Sequence, residues 1–192
     1  MSSQPLRTAV IIGSTRAGRF APTVSRWFVG QAAARDDMTI DVVDLAEARL
    51  PETLGAAGVT VPEVAAVTAR LAAADAFVVV TPEYNHSYPA ALKSAIDWHY
   101  AEWRAKPVGF VSYGGQAGGL RAVEHLRQVF AELHAVTIRD TVSFHGAWNQ
   151  FDDEGEPVDP DSCNAAAKVL LDQLAWWALA LSEARAKRPY QA

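Results

Sequence analysis

The chain has 192 residues, 50% of them apolar and 20% charged, the balance of an ordinary globular domain long enough to bury a core. The 17 basic and 22 acidic residues give a net charge of −5 with no basic cluster, which argues against nucleic acid as a partner. Cys163 is the only cysteine, so an intrachain disulfide is excluded, a thiolate metal cluster is disfavoured, and a reducing, cytoplasmic compartment is expected.

In chain order, strand-like and helix-like segments alternate. TAVIIG (8–13) is a β-branched run ending in glycine, and it reads as a strand buried on both faces. A helix follows over 21–34, with Pro22 in its first turn and Val24 and Phe28 at helical spacing. TIDVVDL (39–45) is the second strand, and 47–61, with Pro51, Gly55 and Gly58, reads as a loop. A helix is expected over 62–75, a third strand at AFVVV (76–80), and a helix over 89–103. A fourth strand (106–115) runs into glycines. An amphipathic helix (119–133) and a fifth strand (135–144) come next. A polar, acidic stretch then leads to a long closing helix beginning near Cys163.

The N-terminal apolar run is too short for a secretory signal. No stretch approaches the roughly 20 apolar residues of a membrane helix, so a soluble protein with no membrane partner is expected. One domain over 1–192 is predicted, with loose ends at about 1–6 and 186–192. Five strands separated by helices imply a parallel sheet with helices on both faces. In the order 2-1-3-4-5, strands one, three and four are neighbours. The loops 13–21, 81–88 and 112–119 would then share one rim at the carboxyl ends, where such sheets bind ligands.

Each of those loops carries chemistry. In GSTRAGRF (13–20), backbone N–H groups, the hydroxyls of Ser14 and Thr15 and the guanidinium of Arg16 could cradle a phosphate ahead of a helix. A plain turn with a helix cap is the alternative. The loop is not a nucleoside-triphosphate P-loop, because Arg19 and Phe20 follow Gly18, and it does not match the dinucleotide fingerprint G-x-G-x-x-G either. In TPEYNHSYPA (81–90), prolines stiffen a segment where Tyr84 offers a flat face and Asn85 can both donate and accept. The alternative is a turn capped by Ser87, with His86 an exposed loop histidine. In SYGGQAGGL (112–120), glycines let the backbone approach a ligand closely, or simply build a turn. The five histidines show no metal-ligand spacing, and no Ser-His-Asp or Cys-His set suggests itself, so no catalytic side chain is assigned.

The motifs G-S-T-R (13–16), P-E-Y-N-H-S-Y-P-A-A-L-K-S-A-I-D-W (82–98) and S-Y-G-G-Q-A-G-G-L-R-A (112–122) together resemble the NADPH-dependent FMN reductase family, across about residues 7 to 145. The resemblance implies a flavodoxin-like three-layer sandwich with a five-stranded parallel sheet. It also implies an FMN cofactor and NADPH or NADH as co-substrate. Ser14, Thr15, Arg16 and Phe20 would meet the FMN phosphate and ribityl chain; Pro82, Glu83, Tyr84 and Asn85 would line the ring; Ser112, Gly114 and Gly115 would close its other side. The implied reaction is a ping-pong hydride transfer from NAD(P)H to the flavin and on to a quinone, azo, metal-oxyanion or flavin acceptor. A flavodoxin-like electron carrier, or a reductase supplying FMN to a partner monooxygenase, is the alternative. The resemblance and the aromatics Trp98, Tyr100 and Trp103 imply a homodimer or homotetramer. Arg104, Arg121 and Arg127 are candidates for a 2′-phosphate contact, with nothing in the sequence to separate them.

Overall fold

A computed structural model describes residues 4–55 and 60–191. Residues 1–3, 56–59 and 192, parts of the expected loose ends and of the expected 47–61 loop, lie outside the described residues. The strands are β1 (Leu6–Ile12), β2 (Met38–Asp44), β3 (Ala76–Pro82), β4 (Pro107–Gly114) and β5 (Val136–His145). They form one sheet, parallel as the alternating pattern predicts, in the order β2-β1-β3-β4-β5 expected of a flavodoxin-like fold. The helices are α1 (Ala21–Ala33), α2 (Leu45–Ala48), α3 (Pro62–Ala73), α4 (Ala90–Asp97), α5 (Leu120–Glu132) and α6 (Pro160–Lys187).

Alternate residues of each central strand feed opposite faces, because the side-chain period of a strand is two. Val10, Ile12, Val78, Val80 and Val111 meet α1 and α6 through Val24, Phe28, Leu170 and Leu174. Ile11, Phe77, Val79, Val108 and Phe110 meet α3, α4 and α5 through Leu71, Leu92, Ile96, Leu126 and Phe130. Helices on both faces of a buried sheet make three layers, with a core on each side and one exposed rim where the strands end.

Several boundaries differ from the sequence reading, each for a local reason. The second strand stops at Asp44, whose carboxylate accepts the Ala46 N–H (3.0 Å) and caps α2, a helix inside the expected loop. The helix expected over 89–103 ends at Asp97. The ring of His99 takes the Ala95 carbonyl (2.7 Å), the acceptor its own N–H would use in a continued helix. The Trp103 indole donates to the His99 carbonyl (2.7 Å) and closes a short 3₁₀ turn at Ala101–Trp103. Trp103 is wholly buried, and the Trp98 indole pins the Pro51 carbonyl (2.9 Å), so only Tyr100 of that aromatic trio stays exposed. The closing helix starts at Pro160, three residues before Cys163, because Asp159 accepts the Ser162 N–H (3.1 Å) as its cap. Among the described residues, no helix is long and apolar enough to cross a membrane.

Candidate active site

The three loops singled out in the sequence converge. The Tyr84 hydroxyl and Ser14 Oγ are hydrogen-bonded at 2.8 Å across 70 residues of chain, tying the loop after β3 to the loop after β1. The Glu83 N–H donates to the Tyr113 carbonyl (3.1 Å), and the Glu83 carboxylate accepts from the Arg121 guanidinium (3.0 Å) and N–H (3.2 Å). Those contacts tie the loop after β3 to the start of α5. The Glu83 side chain is therefore held at a helix N-terminus and its N–H on Tyr113, which leaves its main-chain carbonyl to face a ligand.

The loop after β1 presents donors in sequence. Gly13 N–H bonds the Val80 carbonyl (2.9 Å) and Arg19 N–H bonds the Arg16 carbonyl (3.2 Å). Among the described residues, the N–H groups of Ser14, Thr15, Arg16, Ala17 and Gly18 between them have no acceptor. A run of unsatisfied N–H groups just before α1 is the signature of an anion cradle. Thr15 and Arg16 are exposed, and Arg16 makes no ion pair among the described residues. Ser14 is fully buried, with its hydroxyl on Tyr84. The half-buried Phe20 ring packs edge-on to Tyr113 (6.2 Å) and Phe151 (5.6 Å).

Arg19 holds this loop from beneath. Its guanidinium donates to both Asp44 carboxylate oxygens (2.6 Å each) and to the Ser14 carbonyl (2.5 Å). The Asp44 carboxylate in turn raises Arg19 above its ordinary value. Asp44 and Arg19 were not among the sequence candidates, because the acid lies 25 residues away at the end of β2.

The segment 84–87 is a two-residue hairpin: Tyr84 N–H bonds the Ser87 carbonyl (2.8 Å) and Ser87 N–H bonds the Tyr84 carbonyl (3.0 Å). Asn85 (φ 49°) and His86 (φ 71°) occupy the left-handed region that a type I′ turn demands, and asparagine tolerates it best after glycine. Turn geometry thus supplies a second reason for Asn85 beside ligand binding. Its amide is exposed, as is His86, while Ser87 Oγ bonds His125 Nδ1 (3.0 Å) instead of capping a helix. Pro82 lies in β3 opposite Tyr113.

The glycines of the third loop divide by purpose. A Cβ at Gly119 (φ 89°) would lie 2.6 Å from Ser112 Cβ, and one at Gly118 (φ 61°) 2.6 Å from the His145 ring, so these two serve backbone shape and packing. At Gly114 the nearest atom is the Gly119 nitrogen (3.3 Å), while Gly115 faces only the Trp148 ring (3.6 Å). Ser112 is buried, and its hydroxyl donates to the Gly118 carbonyl (2.9 Å), as does that of Ser143 (2.7 Å). His145 also meets this loop, bonding the Gln116 carbonyl (3.0 Å) through Nδ1. In the sequence, His145 near Trp148 could border the site from the loop after the fifth strand, whereas no motif marks Ser143. Tyr113, 5% exposed, has a hydroxyl with no partner; burial, then the nearby Tyr84 phenol, push its ionisation well up.

A cleft of about 720 Å³ opens beside Tyr84, lined also by Thr15, Arg16, Arg49, Pro89 and Ser94. Its size suits a small-molecule site. The model for NADPH-dependent FMN reductase matches residues 6–149. The chain belongs to the NADPH-dependent FMN reductase family. It is 32% identical over 184 residues to a probable NADPH:quinone oxidoreductase of Oryza sativa subsp. japonica, covering 88% of each chain. To an NAD(P)H-dependent FMN reductase of Schizosaccharomyces pombe it is 41% identical over 118 residues, which is 57% of this chain and 58% of that one. Its fold is similar to that of FerB, a flavoenzyme NAD(P)H:(acceptor) oxidoreductase of Paracoccus denitrificans, with TM-score 0.72, 22% identity and coverage of 91% and 98%. The residues of this family member fit FMN: the donor run at 14–18 suits a phosphate, and the open backbone at Gly115 suits the edge of a flat ring.

Proposed function

We propose that this single domain, residues 1–192, holds FMN on the rim where β1, β3 and β4 end and acts as an NAD(P)H-dependent oxidoreductase on a small-molecule acceptor of the quinone, azo, metal-oxyanion or flavin class. The observation that supports this placement best is the Ser14–Tyr84 hydrogen bond (2.8 Å), which sets a phosphate-type loop beside an aromatic wall. When bound, FMN supplies the redox chemistry, taking a hydride from NAD(P)H and passing two electrons on. The protein's task is placement. The main chain of 14–18, with Thr15 and Arg16, holds the phosphate; Ser14 fixes Tyr84; the main chain of Phe20 continues the cradle. Pro82, Tyr84, Asn85 and the backbone of Glu83 face the ring on one side. Gly114 and Gly115, kept in place by Ser112, approach it on the other.

The similarity to an NAD(P)H-dependent FMN reductase and to a probable NADPH:quinone oxidoreductase favours turnover over a pure electron carrier. An absorption spectrum of the purified protein, followed by anaerobic NADPH titration, tests the reading. Retained flavin that bleaches on NADPH addition is expected, and a colourless protein that takes up no FMN refutes it. We place the protein in the cytoplasm, consistent with a lone cysteine. We also infer a homodimer or homotetramer, supported by Tyr100 (47% exposed) beside α4 and Trp176 (63% exposed) on α6. A light-scattering mass near the 20.7 kDa of one chain refutes that inference.

A further inference from the structure

Most of the arginines that could take a phosphate are already committed. Arg19 is bound to Asp44, Arg121 to Glu83 and Arg70 to Asp41, while Arg127 donates to the carbonyls of Ile138 and Arg139. Arg104 stacks on the Tyr100 ring with its guanidinium carbon 4.4 Å from the centroid. Thus all three arginines that the sequence offered for a 2′-phosphate, namely Arg104, Arg121 and Arg127, are engaged elsewhere. Two remain in the cleft, Arg16, which the flavin reading gives to the FMN phosphate, and Arg49. Both are exposed, neither has a hydrogen-bond or ion-pair partner for its guanidinium among the described residues, and both line the 720 Å³ cleft with Tyr84. Glu52 also lines this cleft and pairs with neither.

Arg49 sits there by way of an unfavourable backbone. It caps α2 in the left-handed region (φ 50°, ψ 42°), with its N–H on the Leu45 carbonyl (3.3 Å). That position ordinarily goes to glycine, because a Cβ is disfavoured there. An arginine kept on strained backbone, aimed at a cleft and lacking a carboxylate partner, calls for an anion from outside. The phosphate assigned to FMN sits on the donor run of 14–18, so Arg49 addresses a second one.

We propose that Arg49 binds the 2′-phosphate of NADPH and makes the chain prefer NADPH to NADH. The proposal rests on the flavin reading above and names the nucleotide of that same site. NADH lacks this phosphate, whereas a planar guanidinium pairs with it through two N–H donors.

The test uses the FMN-loaded wild type, Arg49→Gln and Arg49→Lys. Calorimetric titration with adenosine 2′,5′-bisphosphate should weaken at least tenfold in Arg49→Gln, with AMP binding changing less than twofold. The ratio of kcat/KM for NADPH over NADH should fall by the same tenfold, and Arg49→Lys should lie between, since it keeps the charge without the fork. An unchanged bisphosphate affinity, an equal loss for both nucleotides, or loss of FMN retention in Arg49→Gln overturns the proposal. The last result would place Arg49 on the flavin phosphate. Should neither nucleotide bleach the wild-type flavin, the reductase reading fails, while the bisphosphate titration still decides the role of Arg49.

Discussion

Replacing Arg19 with alanine should loosen the loop on which phosphate binding depends. The wild-type guanidinium makes two 2.6 Å bonds to Asp44 and one of 2.5 Å to the Ser14 carbonyl, with the two side chains only 15% and 12% exposed. A fully exposed pair would contribute about 0–1 kcal/mol. Breaking a fully buried one costs ~3–5 kcal/mol. This pair is largely covered but near the rim, and a hydrogen bond to a charged group contributes about 1.5–3 kcal/mol, so the expected loss is ~2–3 kcal/mol. For a chain of this length that lowers the thermal midpoint by ~4–12 °C. Asp44→Ala alone also removes the cap of α2, so a double-mutant cycle is needed to isolate the pair. Urea unfolding of the four proteins should give a coupling of ~1.5 kcal/mol or more. FMN affinity should fall about tenfold, as the Ser14 main chain must then be ordered by the ligand itself. Arg19→Ala within about 0.5 kcal/mol of wild type, or a coupling below that size, refutes the view that this pair sets the loop.

Gly119→Ala, whose Cβ would lie 2.6 Å from Ser112 Cβ on φ 89° backbone, should cost ~3 kcal/mol in denaturant melts. Gly115→Ala, with only Trp148 at 3.6 Å, should leave stability within about 0.5 kcal/mol yet weaken FMN at least ~10-fold in a fluorescence titration; equal stability losses would contradict the division of the glycines. Lys106 is buried, with its ammonium on the Leu71 and Ala72 carbonyls (3.0 Å each); burial, then the charge of Arg185, lower it to about 8. The unfolded side chain titrates near 10.4, so between those values the unfolded chain holds a proton that the folded chain has released. Stability should therefore rise by ~2–3 kcal/mol as pH climbs through that window, and Lys106→Met should flatten the slope in urea melts; an unaltered slope removes Lys106 as its source.

Much of this was legible in the chain itself. AFVVV with TAVIIG and KPVGFVSYGG read as doubly buried strands, and the helical runs between them imply parallel pairing; the order observed is the one that the flavodoxin-like resemblance implied. The loops 13–21, 81–88 and 112–119 were marked as candidates because Gly, Pro and clustered polar residues interrupt apolar runs. What each side chain in them does was not legible. Nothing in the sequence foretells that the Glu83 carboxylate pairs with Arg121 or that the Phe20 ring packs against Phe151. The early stop of α4 depends on an imidazole displacing a backbone donor, which no helix propensity encodes.

Sequence alone determined the strands, the helices between them and their parallel pairing, because continuous apolar runs and helical periodicity are local and repetitive signals; the strand order, and with it the end of the sheet that carries the site, came with the family resemblance. Tertiary structure decided which donors remain unused: the bare N–H groups at 14–18, the open approach at Gly115, and Arg49 without a carboxylate. Whether a polar group is free depends on partners such as Asp44, 25 residues from Arg19, or Tyr84, 70 residues from Ser14, and only the folded chain brings those together.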